Sequence, residues 1–438
     1  MSLTTVYSVL TEAATRCNDC GACTPQCEVL ENSGQSFTVG DMARTFLEAF
    51  DDYRGEGTNQ RETLFDRVRA IVAERPDYLT SIRRCCMCGF CTARCAQGVN
   101  ARQTFTVLRE LMTEAGLVNL ADFNSTKVDE EWHIFSVYRA VYGIYFQDLP
   151  HVGQAPELGA DTLFFPGCSL ASYAPDLARQ AYAFLQEQGY NTVFSEECCQ
   201  SPFKSAGLTD RAMVYKKALV AVLHDAGIKR IVFVCPGCLD EFAEVPGIEG
   251  IELIPLPRLM EEAGLTPRED KIRLMASYNA EGAVELSADQ LVRVSLFDSC
   301  HDREGLFAQP LHAMMEKSEG CILVELPHHG KRALCCGAAG SVSLVDPDLC
   351  ARRAHRILYE ETQAVGSQLL VANCPTCSYT WAAQQMADVA DPEHPWLIPH
   401  ANYLELFFEG SFDWNTVFSQ LGGMWSGEYA AWVYQQLV

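Results

Sequence analysis

Residues 230–238 read RIVFVCPGC, and residues 368–377 read QLLVANCPTC. In both stretches an apolar run of strand length ends at a cysteine, and a second cysteine follows after two further residues. Short apolar strands of this kind are typical of parallel sheets that are covered by helices. Because such sheets bind ligands beyond the carboxyl ends of their strands, these cysteines stand where a binding site is expected. The two stretches therefore favour an α/β fold with a cysteine-based site.

The same pattern extends outward from both stretches. A strand ending at Cys168 in DTLFFPGCS precedes the first, and a strand ending at Cys300 in VRVSLFDSC precedes the second. An adjacent cysteine pair lies between the two strands in each case, in EECCQSP at 196–202 and in LCCGAAG at 334–340. Strands alternate with helical stretches in both parts. The chain is therefore predicted to contain two copies of one α/β module, each a small parallel sheet flanked by helices.

Each copy offers five cysteines in the same order. The first set is Cys168, Cys198, Cys199, Cys235 and Cys238, and the second set is Cys300, Cys335, Cys336, Cys374 and Cys377. Five thiols are too many for zinc or for a single cubane cluster. Neighbouring side chains on an extended backbone point to opposite faces, so an adjacent pair does not suit one compact four-ligand site. The pair fits an opened, non-cubane cluster, in which one thiolate reaches irons that its neighbour does not reach.

Two further cysteine runs lie near the N-terminus, CNDCGACTPQC at 17–27 and CCMCGFCTARC at 85–95. Three cysteines at two-residue spacing with a fourth further on is the spacing of cubane [4Fe–4S] clusters, whereas zinc favours two pairs from separate loops. In two-cluster ferredoxins the last cysteine of each run ligates the other cluster. The predicted ligands are Cys17, Cys20, Cys23 and Cys95 for one cubane, and Cys85, Cys88, Cys91 and Cys27 for the other.

Amphipathic helical stretches separate the two runs, and another helix is predicted at about 101–115. The predicted fold is a multidomain α+β and α/β protein, with a mainly helical two-[4Fe–4S] ferredoxin domain followed by the two repeated modules. The predicted segments are the helical domain at 1–118, a connector at 119–160, the first module at 161–264, a linker at 265–290, the second module at 291–409 and an aromatic tail at 410–438.

Composition narrows the class of protein. The 438 residues include 33 basic and 57 acidic side chains, and a net charge of −24 argues against nucleic-acid binding. The most apolar segment, 134–146, is too short to span a membrane and contains Arg139, and no secretory signal is visible. We therefore expect a cytoplasmic chain that is not itself transmembrane. In that compartment 21 cysteines indicate metal binding rather than disulfides.

At this point the chain resembles a known family. Its two modules resemble the CCG domains of heterodisulfide reductase, and the layout resembles the fused catalytic subunit of that enzyme over nearly the whole chain. The resemblance implies that each five-cysteine set holds a non-cubane [4Fe–4S] cluster, and that the two clusters together cleave a small disulfide. No glycine-rich phosphate loop follows a strand, so no flavin is expected on this chain. Electrons would come from a flavoprotein or a membrane cytochrome, through which the chain could be membrane-associated.

The layout is also similar to the iron–sulfur subunits of glycolate oxidase and anaerobic glycerol-3-phosphate dehydrogenase. Those subunits relay electrons from a flavin subunit to quinone, and their modules often lack part of the five-cysteine set. The intact CPGC stretch favours the reductase, whereas CCGAAG slightly favours the relay. Gln200 follows the first cysteine pair where the second module has the family glycine, Gly337. Gln200 could crowd the cluster or redirect a substrate pocket.

The catalytic candidates are His301, Cys199 and Cys336. His301 directly follows a predicted ligand and could donate a proton to a leaving thiolate, although a purely structural, hydrogen-bonded histidine fits the sequence equally well. His328 and His329 are weaker candidates for the same role. Disulfide reduction requires the two loops with adjacent cysteines to converge on one cavity, with Gln200 and Gly337 near its wall. Three cysteines lie outside these sets. Cys321 and Cys350 are expected to pack in the protein core, and Cys86 is expected to be a packed neighbour of Cys85.

Overall fold

The described part of the chain forms two compact units. The computed structural model describes residues 2–24, 27, 29, 37–51, 53, 58–127, 132–279, 282–283, 286, 290–388 and 398–438. The first of the two units, which we call the N-terminal unit, consists of Met1–Lys127, Pro202–Ala212 and Gly337–Cys350. The second, which we call the sheet unit, consists of Val128–Ser201, Met213–Cys336 and Ala351–Val438. The N-terminal unit thus includes the segment that follows each adjacent cysteine pair.

Helices make up the described secondary structure of the N-terminal unit. Those of its first part are Leu3–Arg16, Val39–Leu47, Thr58–Glu74, Pro76–Arg84, Phe90–Arg94 and Ala101–Glu114, with 3-10 turns at Glu48–Phe50 and Leu120–Thr126. The first helix begins after the Ser2 cap and buries Leu3, Val6, Leu10 and Ala13, which share one helical face. These side chains join one core to which the other helices contribute. The predicted helix at about 101–115 is present at these bounds.

The sheet unit opens with a four-stranded parallel sheet. Its strands are β1 (Thr162–Phe165), β2 (Thr192–Phe194), β3 (Arg230–Phe233) and β4 (Glu252–Pro255), in the spatial order β2-β1-β3-β4. The helices in this part of the chain are Cys168–Tyr173, Pro175–Glu187, Ser201–Ala206, Thr209–Asp225, Pro236–Ala243 and Leu256–Glu262. Nearly all of Ser201–Ala206 and the start of Thr209–Asp225 belong to the N-terminal unit. All four residues of β1 are buried, as expected of a central parallel strand.

A second parallel sheet repeats this arrangement. After the helix Glu269–Ala276 and the short antiparallel strands β5 (Tyr278–Asn279) and β6 (Gly282–Ala283), it contains β7 (Val292–Phe297), β8 (Cys321–Leu323), β9 (Leu369–Ala372) and β10 (His400–Asn402). Its order, β10-β9-β7-β8, matches that of the first sheet strand for strand. The later helices and turns are Ala308–Met315, Gly330–Arg332, Ala339–Ser341, Val342–Val345, Pro347–His355, Arg356–Glu361, Thr362–Val365, Pro375–Asp388, Tyr403–Phe407, Trp414–Gly423 and Ala430–Leu437. Of these, Ala339–Ser341, Val342–Val345 and the start of Pro347–His355 belong to the N-terminal unit. The fold therefore combines helices with two parallel sheets, as the repeat predicted.

One hydrophobic core joins both modules within the sheet unit. Val232 of β3 and Val371 of β9 belong to it, together with Val433 from the C-terminal tail. The segment predicted as a connector also contributes to this core, because its residue Tyr138 is buried there. Its helices and turns in this unit lie at Ile134–Tyr142, Val152–Gln154 and Ala155–Leu158. Among the described residues, no helix combines the length and the apolar character needed to cross a bilayer.

Candidate functional site

The first five-thiol set gathers at the carboxyl edge of the first sheet. Cys168 begins a helix just after β1, and its Sγ lies 4.0 Å from the Sγ of Cys198. The side chain of Cys199 is hydrogen-bonded to that of Cys238. Gly167 has a φ of +78°, and a Cβ on it would lie 3.2 Å from the Cys238 sulfur. A residue with a side chain at position 167 would therefore crowd the thiols.

The second set repeats this geometry at the edge of the second sheet. The Sγ of Cys377 donates to the Sγ of Cys336 over 3.2 Å, and Cys374 exchanges a hydrogen bond with Cys377. Cys300 and Cys335 are both buried as well. Each module also has a loop of the form CPxC, at residues 235–238 in the first module and 374–377 in the second. In each module the second cysteine of the adjacent pair thus contacts the second cysteine of the CPxC loop. This shared contact agrees with the repeat that the spacing indicated.

The two sets meet each other inside the sheet unit. The Sγ of Cys235 lies 3.9 Å from the Sγ of Cys374, so the CPxC loops of the two modules touch at their first cysteines. Tyr403 donates from its hydroxyl to the carbonyl of Val234 over 3.2 Å and is fully buried. This bond fixes the backbone just before Cys235. The contacts that join the sets are therefore made by the CPxC loops, and a cavity between the adjacent pairs stays a prediction.

His301 stands at this junction. Its Nδ1 lies 2.7 Å from Oδ2 of Asp240, a residue of the other module. Its ring also approaches the CPxC loop, since a Cβ on Gly237 would lie 3.8 Å from the ring carbons. By contrast, the Nδ1 of His328 lies 2.8 Å from a carboxylate oxygen of Glu361. The structure therefore sets His301 apart from the other histidine candidates by its position.

The thiols of the two sets perturb one another because they lie close together and all but Cys168 and Cys235 are buried. Hydrogen bonds from Cys198 and Cys238 hold the pKa of Cys199 well below its ordinary value, and bonds from Cys235 and Cys377 do the same for Cys374. Nearly dry sulfurs at such distances favour a bound cation, which stabilises several thiolates at once. The donor set therefore fits iron, the metal of thiolate-ligated clusters.

A buried ion pair accompanies the first set. The Nζ of Lys216 lies 2.5 Å from Oε2 of Glu241, and both side chains are buried. Hydrogen bonds from neighbouring thiols are the main cause of the lowered pKa of Cys199, and the positive charge of Lys216 adds to them. The module therefore keeps a cation beside its cysteine pair. Sequence reasoning missed Lys216 as it missed Asp240, because neither belongs to a ligand spacing.

The two ferredoxin-type runs share one backbone conformation. Two residues after the first cysteine of each run the φ angle is positive, +55° at Asp19 and +50° at Met87. Two residues further on it is positive again, +71° at Gly21 and +70° at Gly89. Such alternation turns backbone N–H groups toward one point, and the Met87 N–H accordingly donates to Cys85 Sγ over 3.3 Å. Both runs therefore form the same kind of cradle for sulfur.

The contacts of these runs bear on how their cysteines group. Burial raises the pKa of Cys91 well above its ordinary value, and the neighbouring sulfurs of Cys27, Cys85 and, to a smaller extent, Cys23 raise it further. Cys27, the last cysteine of the first run, therefore lies near the second run. The start of the first run also lies near the end of the second, since Arg16, next to Cys17, donates to the carbonyl of Gly98 over 3.2 Å. This bond brings the loop after the last cysteine of the second run beside the start of the first.

The three cysteines outside these sets are all buried: Cys86, Cys321 and Cys350. The Cys321 thiol contacts the carbonyl of Met315 at 3.8 Å. That of Cys86 contacts the carbonyl of Gly337 at 3.9 Å within the N-terminal unit. All three residues are therefore packed, as the sequence predicted for Cys321 and Cys350 in the core and for Cys86 beside Cys85.

Comparisons with known proteins agree with this geometry. Residues 162–243 and 294–381 both match the cysteine-rich CCG domain family. The chain is 23% identical over 378 residues to one of the subunits of the dihydromethanophenazine:CoB–CoM heterodisulfide reductase of Methanosarcina mazei, covering 82% of this chain and 86% of that protein. It is also 23% identical over 383 residues to an uncharacterised iron–sulfur protein of Methanocaldococcus jannaschii, covering 83% of this chain and 66% of that protein.

These matches confirm the resemblance drawn from the cysteine pattern. Two segments of the chain match the CCG cysteine-rich domain family, and the chain is similar over most of its length to this heterodisulfide reductase component. The relationship supports an iron–sulfur oxidoreductase subunit with a role in electron transfer.

Proposed function

We propose that this chain takes electrons from a redox partner through two cubane clusters to two non-cubane [4Fe–4S] clusters, and that it reduces a small disulfide there. The observation that carries the proposal is the 3.9 Å approach of Cys235 and Cys374, which joins the two five-thiol sets in one site. Splitting a disulfide into two thiols consumes two electrons and two protons. When bound, each of the two clusters would supply one electron. A simple relay has no need to pair two modules in this way.

The cysteines of this chain are the ligands in this proposal. The adjacent pairs offer sulfurs in two directions, so Cys199 and Cys336 would hold the side of each cluster that Cys198 and Cys335 do not reach. The closeness of Cys27 to Cys91 supports the crossed assignment of the two cubane clusters.

His301 is the proposed proton donor. Asp240 accepts from the ring at 2.7 Å, which orients the imidazole and directs its other nitrogen away from this carboxylate. A donor in hydrogen-bond reach of the departing thiolate is the requirement for general acid catalysis. Asp240 would act as the residue that positions the ring.

A redox partner is expected to deliver electrons to the N-terminal unit. The relative from Methanosarcina mazei is named as a subunit of a reductase, which supports a complex of several chains. Cys20 of the first ferredoxin-type run is exposed, so a cluster at this loop would be accessible to a docked flavoprotein or membrane cytochrome. The chain would then be cytoplasmic, or held at a membrane by that partner.

One observation favours a second function, a relay that passes electrons from a flavin subunit to quinone. Gln200 is fully buried at the position that corresponds to Gly337, so the two modules differ directly beside their cysteine pairs. A first module altered in this way could pass electrons without binding a disulfide.

The test supplies reduced viologen and a panel of low-molecular-weight disulfides under anaerobic conditions and follows viologen oxidation. We expect the wild type to oxidise viologen only when a disulfide is present. The rate of this oxidation should fall by about 100-fold or more in His301→Gln and by a smaller factor in Asp240→Asn, while the cluster spectra stay unchanged. His328→Gln is the matched control and should retain the wild-type rate. If no disulfide is consumed while a flavin partner readily reduces the clusters, the chain is a relay.

A further inference from the structure

Arg109 is a buried cation at the centre of the N-terminal unit. It lies in the helix Ala101–Glu114 and is 4% exposed. Its guanidinium donates only to backbone carbonyls: those of Ile82 at 2.7 Å, Arg83 at 3.0 Å, Cys85 at 2.7 Å, Ser205 at 2.7 Å and Gly340 at 2.8 Å. Among the described residues no carboxylate pairs with it.

These carbonyls come from three separate parts of the chain. Ile82, Arg83 and Cys85 lead from the end of a helix into the second ferredoxin-type run. Ser205 belongs to the segment that follows the first cysteine pair, and Gly340 to the segment that follows the second. One side chain therefore ties the first predicted ligand of a cubane cluster to both of these segments.

The packing around Arg109 leaves little freedom for these segments to move. A Cβ on Gly340 would lie 2.5 Å from the carbonyl oxygen of Cys85, and a Cβ on Gly207 would lie 2.8 Å from that of Arg109 itself. Both glycines have positive φ angles, +71° and +78°. Neither segment can accept a side chain at its closest approach, so the arrangement depends on the guanidinium and two glycines together.

The charge of Arg109 is fixed and poorly screened. A guanidinium stays protonated in proteins, and at this depth neither water nor salt weakens its field much. Its Nη2 lies 2.7 Å from the carbonyl of Cys85, whose sulfur is a predicted cluster ligand. Because reduction adds a negative charge to a cluster, a nearby unneutralised cation favours the reduced state.

We propose that Arg109 raises the reduction potential of the cluster held by Cys85, Cys88, Cys91 and Cys27, and that it positions this run against the segments following both cysteine pairs. The inference rests on the proposed function, because it requires a cluster at this run. Arg109 would make this cubane the more easily reduced of the two and so direct electrons toward it.

The experiment is an anaerobic redox titration of the whole chain, followed by EPR. In Arg109→Met one of the two cubane signals should shift to lower potential while the other stays in place. Arg109→Lys keeps the charge and should remain closer to the wild type. Arg69→Met is the matched control, because Arg69 also binds a backbone carbonyl but is partly exposed and paired with Glu62 and Asp66. Both potentials should be unchanged in that variant.

Each outcome decides between the alternatives. If the Met variant loses a cubane cluster that the Lys variant retains, the positive charge is required, which supports the proposal. If the Met and Lys variants behave alike, either keeping wild-type potentials or both losing the cluster, the tuning role is overturned. Absence of both cubane signals from the wild type would overturn the proposed function as well, whereas two normal wild-type signals with no shift in Arg109→Met overturn this inference alone.

Discussion

At the scale of single residues, the backbone angle after each adjacent cysteine pair explains why the second module has a glycine there. Gly337 has a φ of +102° and Gln200 a φ of +65°, so both modules need a positive φ at this point. Glycine adopts such angles without steric cost, whereas other residues with a side chain are strained there. Gln200 therefore keeps the backbone of its module in the required conformation at the cost of strain, with its side chain fully buried.

A matched pair of substitutions tests this explanation. Gly337→Ala should destabilise the chain by about 1–3 kcal/mol and reduce the occupancy of the second module, because alanine is strained at its φ. Gln200→Gly relieves this strain, but it also removes a fully buried side chain and adds the greater freedom of glycine in the unfolded chain, so it should not stabilise the protein. Anaerobic denaturant unfolding and iron analysis measure both. A Gly337→Ala variant as stable as the wild type, or a Gln200→Gly variant clearly more stable than it, would contradict the argument.

At the scale of elements, the helix Tyr403–Phe407 depends on a buried carboxyl group. Asn402 caps this helix, and Glu405 accepts the N–H groups of Asn402 at 2.7 Å and Phe412 at 2.9 Å. Burial raises the pKa of Glu405 to about 7, although these N–H bonds act in the opposite direction. The folded chain therefore binds a proton at this group more tightly than the unfolded chain does.

This shift predicts the pH dependence of stability. The contribution of Glu405 is fully present below its ordinary pKa of 4.5 and is lost as the pH rises through about 7. Relative to Glu405→Gln, the wild type should lose at most about 3 kcal/mol between pH 5 and pH 8. Unfolding midpoints of both proteins across this range measure the difference. Parallel pH profiles for the two would show that Glu405 is not titrating as described.

At the scale of the whole molecule, the prediction is the number of clusters. Four predicted sites imply about sixteen irons per chain, in two cubane clusters and two with unusual spectra. Cys336→Ser should abolish one unusual signal and leave the cubane signals intact, because it removes a sulfur that contacts Cys377. Cys321→Ser is the control, since Cys321 is buried in the same module but lies outside the five-thiol set. About eight irons together with zinc would rule out the non-cubane assignment.

The sequence by itself determined the repeated modules, the strands that run toward their cysteines and the candidate ligands. Strand and helix patterns depend on neighbouring residues, and ligand spacings can be read directly from the sequence. Residues such as Cys235 and Cys238 could therefore be identified without coordinates. Only the tertiary structure decided that Cys235 meets Cys374, which is 139 residues away, and that Arg109 holds Gly340, which is 231 residues away. Contacts across such separations depend on how the packed elements bury their apolar faces together. No residue pattern marks Asp240 or Arg109 in advance, because each acts through a partner that folding alone brings to it.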